Sequence, residues 1–266
     1  MSFQHQARKR FGQNFLRDPH FIERMIAAIQ PKAGQRLVEI GPGLGALTLP
    51  LLRHATRLEA VELDRDLVEE LARRCADAGE LLIHQGDALK FDFAALRTDE
   101  RKLRVVGNLP YNISTPLIFH LLEALADVED MHFLLQKEVV DRLAAPPGSD
   151  SYGRLSVMVQ YYCRVESLFI VPPGAFTPVP KVDSAYVRLL PHAKRPVEVN
   201  DVRALSRLVA QAFSQRRKTL RNSLKGLLNE AEIEAAGVDP SIRPEQLDLA
   251  AFARLTDRLA AQAKDG

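Results

Sequence analysis

Short apolar runs that end at Gly, Asp, Asn or Lys recur along the first half of the chain, at RLVEIG (36–41), RLEAVELD (57–64), ELLIHQGD (80–87), KLRVVGN (102–108) and DMHFLLQK (130–137). Between them lie helical patterns, Leu44 to Arg53, Asp66 to Ala78 and Pro116 to Leu125. Strand, helix, strand in succession closes a βαβ unit, and such units build a parallel sheet with helices on its faces. Two later segments rich in β-branched and aromatic residues, YGRLSVMVQYYCRVESLFIV (152–171) and SAYVRLLP (184–191), read as antiparallel additions. The expected fold is α/β, a doubly wound and mostly parallel seven-stranded sheet.

After Pro191 the pattern changes. HAKRPVEVN (192–200) reads as a linker, and from Asp201 onward the chain is helical, through DVRALSRLVAQAFSQRRKTLRNSLKGLL and EAEIEAAG to EQLDLAAFARLTDRLAAQ. The expected organisation is a domain over residues 1–195, led by a basic arm over 1–17, and a small helical domain over 196–266.

At 266 residues, with 46% hydrophobic and 26% charged, the chain can bury a full core and still cover itself with charge. A net charge of +2 says little about partners, but its placement says more. Arg8, Lys9, Arg10 and Arg17 precede the first acid, and Ser214 to Lys225 holds Arg216, Arg217, Lys218, Arg221 and Lys225 with no acid. Two distant cysteines and seven histidines without paired ligand spacing suggest neither disulfides nor a metal. No run approaches the ~20 apolar residues of a membrane span, and no signal-peptide core is present, so a cytoplasmic chain is expected.

The polar residues after each strand carry the functional signal. Glu39-Ile40-Gly41-Pro42-Gly43-Leu44-Gly45 follows the first run and opens a helix, where glycines let a ligand approach the backbone and offer it helix N-terminal amides. Its G-x-G-x-G spacing departs from the dinucleotide fingerprint. Glu62 ends the next run, about 20 residues on, where a carboxylate can accept from both ribose hydroxyls. Asp87 closes the third, placed either to accept from an adenine amino group or to cap a turn. Asn108-Leu109-Pro110-Tyr111 follows the fourth. All four lie at the carboxyl ends of parallel strands, the ligand-binding edge of open α/β sheets.

The order EIGPGLG, VELD, GDAL, GNLPYNIS resembles class I S-adenosylmethionine-dependent methyltransferases acting on adenine N6. RKRFGQNFL (8–16), NLPYNIST (108–115), FTPVPKVDS (176–184) and FSQRRKTLRNSL (213–224) narrow the resemblance to the KsgA-type (RsmA) ribosomal RNA adenine dimethyltransferases, with a Rossmann-like catalytic domain. The resemblance implies S-adenosylmethionine as methyl donor and no metal. It also implies a monomer that dimethylates N6 of two adjacent adenosines near the 3′ end of small-subunit ribosomal RNA during subunit assembly. Asn14, Leu16, Gly41, Gly43, Glu62, Asp87 and Asn108 would hold the cofactor, with Phe11 and Gln13 as further candidates.

The chemistry assigns roles beside those. The lone pair of adenine N6 is delocalised into the ring, and two acceptors on its amino protons, the Asn108 side-chain oxygen and the Leu109 carbonyl, would turn it toward the methyl. Pro110 would fix the direction of that carbonyl. Tyr111 would stack on the extruded base, and Phe176 matches the family position that closes its other face. Arg8, Lys9, Arg10, Arg216, Arg217, Lys218 and Arg221 are the candidate phosphate contacts. Alternatives are a resistance-type enzyme acting on large-subunit RNA, a non-catalytic nucleic-acid-binding factor on the same fold, and a nicotinamide oxidoreductase, which the glycine spacing disfavours.

Overall fold

A computed structural model describes residues 14–215 and 217–265. Arg8, Lys9, Arg10, Phe11, Gln13 and Arg216 lie outside the described residues. The order is β1 (Phe15–Leu16), α1 (Pro19–Ile29), β2 (Arg36–Ile40), α2 (Thr48–Ala55), β3 (Arg57–Glu62), α3 (Arg65–Cys75), β4 (Glu80–Gln85), β5 (Leu103–Asn108), α4 (Ser114–Glu123), β6 (Val128–Gln136), α5 (Lys137–Ala144), α6 (Arg154–Tyr162), β7 (Cys163–Val171), β8 (Phe176–Thr177) and β9 (Ser184–Pro191). There follow α7 (Val202–Ala212), α8 (Leu220–Ser223), α9 (Glu230–Ala235) and α10 (Leu249–Asp265).

Seven strands form one sheet in the order β4-β3-β2-β5-β6-β9-β7. Strands β4 to β6 pair in parallel, and β9 joins β6 antiparallel. From β2 the chain winds outward to β4, then returns to β5 and winds the other way. Neighbours β2 and β5 therefore flank the switch point where such sheets open a crevice. Gly107 permits their close approach, since a Cβ there would stand 2.5 Å from the Ile40 carbonyl oxygen. The central strands are buried along nearly their whole length, as parallel strands covered on both faces must be.

The helices begin where the sequence supplies caps. Asp18 accepts from the His20 N–H with Pro19 at the first helical position of α1, and Asp64 accepts from the Asp66 N–H at the start of α3. Asp201 accepts from two amides at the start of α7, and Asn229 and Glu232 cap α9 reciprocally.

At the amino end of the central strands lies a buried polar network. Arg104 grips Asp130 with Nε at 2.9 Å and Nη2 at 2.7 Å, and also donates to the Ile29 carbonyl and the Gln35 side chain. His132 reaches the same carboxylate at 3.2 Å. Burial pushes Asp130 up, but the bonds and charges of His132 and Arg104 outweigh it and hold the acid at about 2.

Packing divides the chain into one unit of Met1–Val140 with Glu166–Pro191 and a second of Asp141–Val165 with His192–Gly266. The expected division near 195 thus misplaces residues 141–165. The segment YGRLSVMVQYY, expected as strand, is largely the helix α6. Leu155 to Val159 and Tyr161 are all buried, so the run shows no polar face to betray a helical period, and its β-rich composition misleads. Ser156 marks the start, its hydroxyl accepting from the Gly153 N–H and donating to the Arg142 carbonyl. Within this second unit Gln160 donates to the Leu143 and Ala145 carbonyls, and Tyr152 and Phe252 both meet the Phe213 ring.

The expected single helix through the basic segment is broken. Helix α7 ends at Ala212, a 3-10 turn covers Phe213–Gln215, and α8 begins only at Leu220. The Ser214 hydroxyl bonds back to the Gln211 carbonyl, a local bond that competes with helix continuation.

Candidate active site

A cavity of about 1310 Å³ opens at the carboxyl ends of β2 to β5, and Asn14 to Arg17 of the arm line it as well. Asn14, Leu16, Gly41, Gly43, Glu62, Asp87, Asn108, Leu109, Pro110 and Tyr111 all reach its wall. Its size exceeds the ~300–1,000 Å³ usual for one small ligand and suits two occupants side by side.

The loop after β2 takes its shape from three glycines with positive φ, Gly41 at 65°, Gly43 at 56° and Gly45 at 86°. At Gly43 there is a second constraint, because a Cβ would stand 3.1 Å from the Phe15 ring. The loop's amides differ from expectation. The Gly41 N–H donates to Val61, the Gly45 N–H to Pro42, and the Gly43 N–H to Glu62 at 3.2 Å. Helix α2 starts only at Thr48. These three amides therefore build the loop, and what the glycines give a ligand is close backbone approach.

Glu62 is gripped from both sides, Oε2 by the Gly43 N–H and Oε1 by the Asp64 N–H at 2.8 Å. Burial raises its carboxyl above the usual range, and the amide bonds only partly offset that. Asp87 caps its own turn, Oδ1 accepting from the Leu89 N–H at 3.0 Å, and the residue stands in the cavity wall.

Glu39 escaped notice in the sequence. It is 2% exposed, lines the cavity, and accepts from the Thr48 hydroxyl at 2.6 Å. Burial pushes its carboxyl up to about 8, with the Thr48 bond opposing and the nearby Glu62 charge adding. A Glu inside an apolar parallel strand, directly before the glycine loop, was the available signal.

Asn108 ends β5, its side-chain nitrogen donating to the Asn14 carbonyl at 2.9 Å. A carbonyl can only accept, so this bond fixes which end of the amide is which, and the Asn108 oxygen is left to accept from a ligand. The Leu109 N–H is tied to the Leu134 carbonyl at 3.2 Å, anchoring the turn to β6. Tyr111 is half-buried at the wall, its phenol 2.6 Å from the Ser184 hydroxyl.

Phe176 does not join them. It pairs with Leu16 across the two-stranded β1–β8 sheet, is 2% exposed, and belongs to the apolar core with Met25, Leu51 and Tyr186. The aromatic residues of the cavity wall are Tyr111, at the Asn108 turn, and Phe15, whose ring lies against Gly43. In the second unit, Arg217, Lys218 and Arg221 are exposed, and Arg221 pairs with Glu230 at 3.2 Å. Among the described residues no group of His, Cys, Asp and Glu converges as a metal site, and no helix is long and apolar enough to cross a membrane.

Comparison with known proteins agrees with this geometry. The ribosomal RNA small subunit methyltransferase A of Pseudomonas fluorescens strain Pf0-1 is 63% identical over 260 residues, 98% of this chain and 96% of the relative. Its counterpart from Pseudomonas aeruginosa PAO1 is 63% identical over 258 residues, 97% and 96% of the two chains. A dimethyladenosine transferase from Plasmodium falciparum superposes with a TM-score of 0.76 at 27% identity, covering 91% of this chain and 95% of that one. The 23S rRNA methyltransferase ErmE superposes at 0.72 and 26% identity, covering 93% and 100%. Residues 4–261 match the ribosomal RNA adenine dimethylase family, and with so little of the chain left outside that match, this protein belongs to it.

Proposed function

We propose that this chain transfers methyl groups from S-adenosylmethionine to N6 of two adjacent adenosines in a hairpin near the 3′ end of small-subunit ribosomal RNA, during subunit assembly. The observation that carries the reading is the orientation of Asn108, whose nitrogen is held by the Asn14 carbonyl so that its oxygen can accept from an amino group. Relatives named for the small subunit share 63% identity across nearly the whole chain, which favours this substrate over the large-subunit RNA in the name of the more distant ErmE.

The residues present fit the cofactor. Glu39 and Glu62 face one cavity, and among the described residues no cation pairs with either, which suits a ligand carrying positive charge. Glu62 would hold the ribose and Asp87 the adenine amino group, while the Gly41–Gly45 loop allows close approach. When bound, S-adenosylmethionine supplies an activated methyl on a positively charged sulfur.

The rest falls to the chain. Asn108 and the Leu109 carbonyl accept the two amino protons of the target adenine, which localises the lone pair on N6. Pro110, by restricting Leu109, aims that carbonyl. Tyr111 stacks on the base, a contact worth ~1–3 kcal/mol that offsets part of the cost of extruding it. No strong base is needed, because the amine becomes acidic only once methylated. Arg217, Lys218 and Arg221 contact phosphates, and the exposed Arg221–Glu230 pair, worth ~0–1 kcal/mol, is weak enough to exchange for one. We read the enzyme as a monomer, working in the cytoplasm where subunits assemble.

The test is transfer from labelled S-adenosylmethionine to assembling small subunits, large-subunit RNA and DNA in parallel. Dimethyladenosine only in the small-subunit RNA is the expected result. Label in large-subunit RNA would favour the resistance-type reading, and no label anywhere a binding factor.

A further inference from the structure

Tyr111 is held at both ends of its side chain. At the backbone, its carbonyl accepts from the Ser114 hydroxyl at 3.2 Å, within a turn closed by the Ile113 N–H on the Pro110 carbonyl. At the far end, its phenolic oxygen meets the hydroxyl of Ser184, the first residue of β9 and 73 positions away in sequence.

Ser184 is itself fixed. It is 0% exposed, stands opposite Gln136 in the β6–β9 ladder, and follows Asp183, whose carbonyl accepts from the Lys137 N–H at 2.9 Å. A buried hydroxyl needs a partner, and the partner here is the aromatic ring at the cavity wall. Burial pushes the Tyr111 phenol above its ordinary value, so it stays protonated and the pair can share a proton in either sense.

We propose that Ser184 is a positioning residue for the target base: by tethering the phenol of Tyr111, it sets the plane of the ring on which the extruded adenine stacks. A tyrosine turns about two torsions, χ1 and χ2. With its origin set by the backbone and its tip bound to a rigid strand, the ring loses its freedom to leave the wall. Stacking depends on parallel faces, so a pre-set ring spares the ordering cost each time a base arrives. The second methylation presents the same base in a new orientation about its C–N bond, and a fixed stacking plane holds the ring while N6 turns. The inference rests on the reading of Tyr111 as the stacking residue.

The experiment compares Ser184→Ala, Tyr111→Phe, the double variant and Tyr111→Ala for kcat and KM on assembling small subunits, with a melting midpoint for each. Ser184→Ala and Tyr111→Phe should each lower kcat/KM by about threefold to tenfold, the worth of one hydrogen bond, and the double variant should be no worse than either. Tyr111→Ala should lose more than either. Equal damage from Ser184→Ala in the Tyr and Phe backgrounds, or no damage at all, would overturn the positioning role while leaving stacking intact. Near-wild-type Tyr111→Ala would remove stacking and this inference together. Should Ser184→Ala fold poorly, Tyr111→Phe interrogates the same bond from its solvent side: unchanged kcat/KM there would also overturn the proposal.

Discussion

Asp130 on β6 and Glu39 on β2 are both buried carboxylates in one sheet, and their surroundings drive them in opposite directions. Asp130, at the amino end of the strands, is bound by Arg104 and His132 and stays ionised, at about 2. Glu39, at the carboxyl end, has a threonine hydroxyl and another acid for company, and is pushed up to about 8. Burial alone would raise both; the difference lies in the partners. The amino edge satisfies its own charge and serves the fold. At the carboxyl edge no cation among the described residues pairs with Glu39 or Glu62, an arrangement that costs stability and suits the cationic ligand proposed above.

The largest effect should come from breaking the satisfied side. Arg104→Met leaves Asp130 buried without its cation, and about 3–5 kcal/mol of stability should disappear in denaturant titrations at neutral pH. The folded pKa of Asp130 lies below its ordinary 3.8, so its contribution is complete above that value and lost as pH falls through about 2. The variant should lack that acid limb; an unchanged midpoint would show that the network contributes little.

A smaller effect of opposite sign is expected at the other edge. Because the folded pKa of Glu39 lies above its ordinary 4.5, wild-type stability should fall as pH rises from 4.5 toward about 8 and then level. Glu39→Gln removes that slope, so it should match wild type near the lower value and exceed it above the upper, by on the order of 1–3 kcal/mol. Calorimetric titration with S-adenosylmethionine in buffers of different ionisation heat should show proton release in wild type and less in the variant. Superimposable stability profiles would sink this half of the comparison.

The smallest effect belongs to charges that are neither buried nor paired within the cavity. Lys218→Ala should weaken binding to small-subunit RNA only a few-fold, and lower the slope of log affinity against log salt by about 1. A salt slope equal to wild type would remove Lys218 from the phosphate contacts.

Much of the sheet was legible because its strands are short apolar runs closed by polar residues, and the cavity wall because those runs end at Gly41, Glu62, Asp87 and Asn108. Helix α6 was not, since its burial on nearly every side erases the amphipathic period. The break after Ala212 is accompanied by a side-chain bond from Ser214 that periodicity does not register. Phe176, which by resemblance would close the other face of the base, is seated in the core by its pairing with Leu16, a placement that a proline-rich loop sequence does not announce. The bonds that orient the site, Asn14 to Asn108 and Ser184 to Tyr111, span 94 and 73 positions and become visible only once the strands are assembled.

The central claim is that Asn108 activates the target amine. Asn108→Ala should lower single-turnover methyl transfer to small-subunit RNA on the order of a hundredfold while S-adenosylmethionine affinity stays within about threefold of wild type. Near-wild-type transfer, or a loss of cofactor affinity large enough to account for the whole defect, would contradict it.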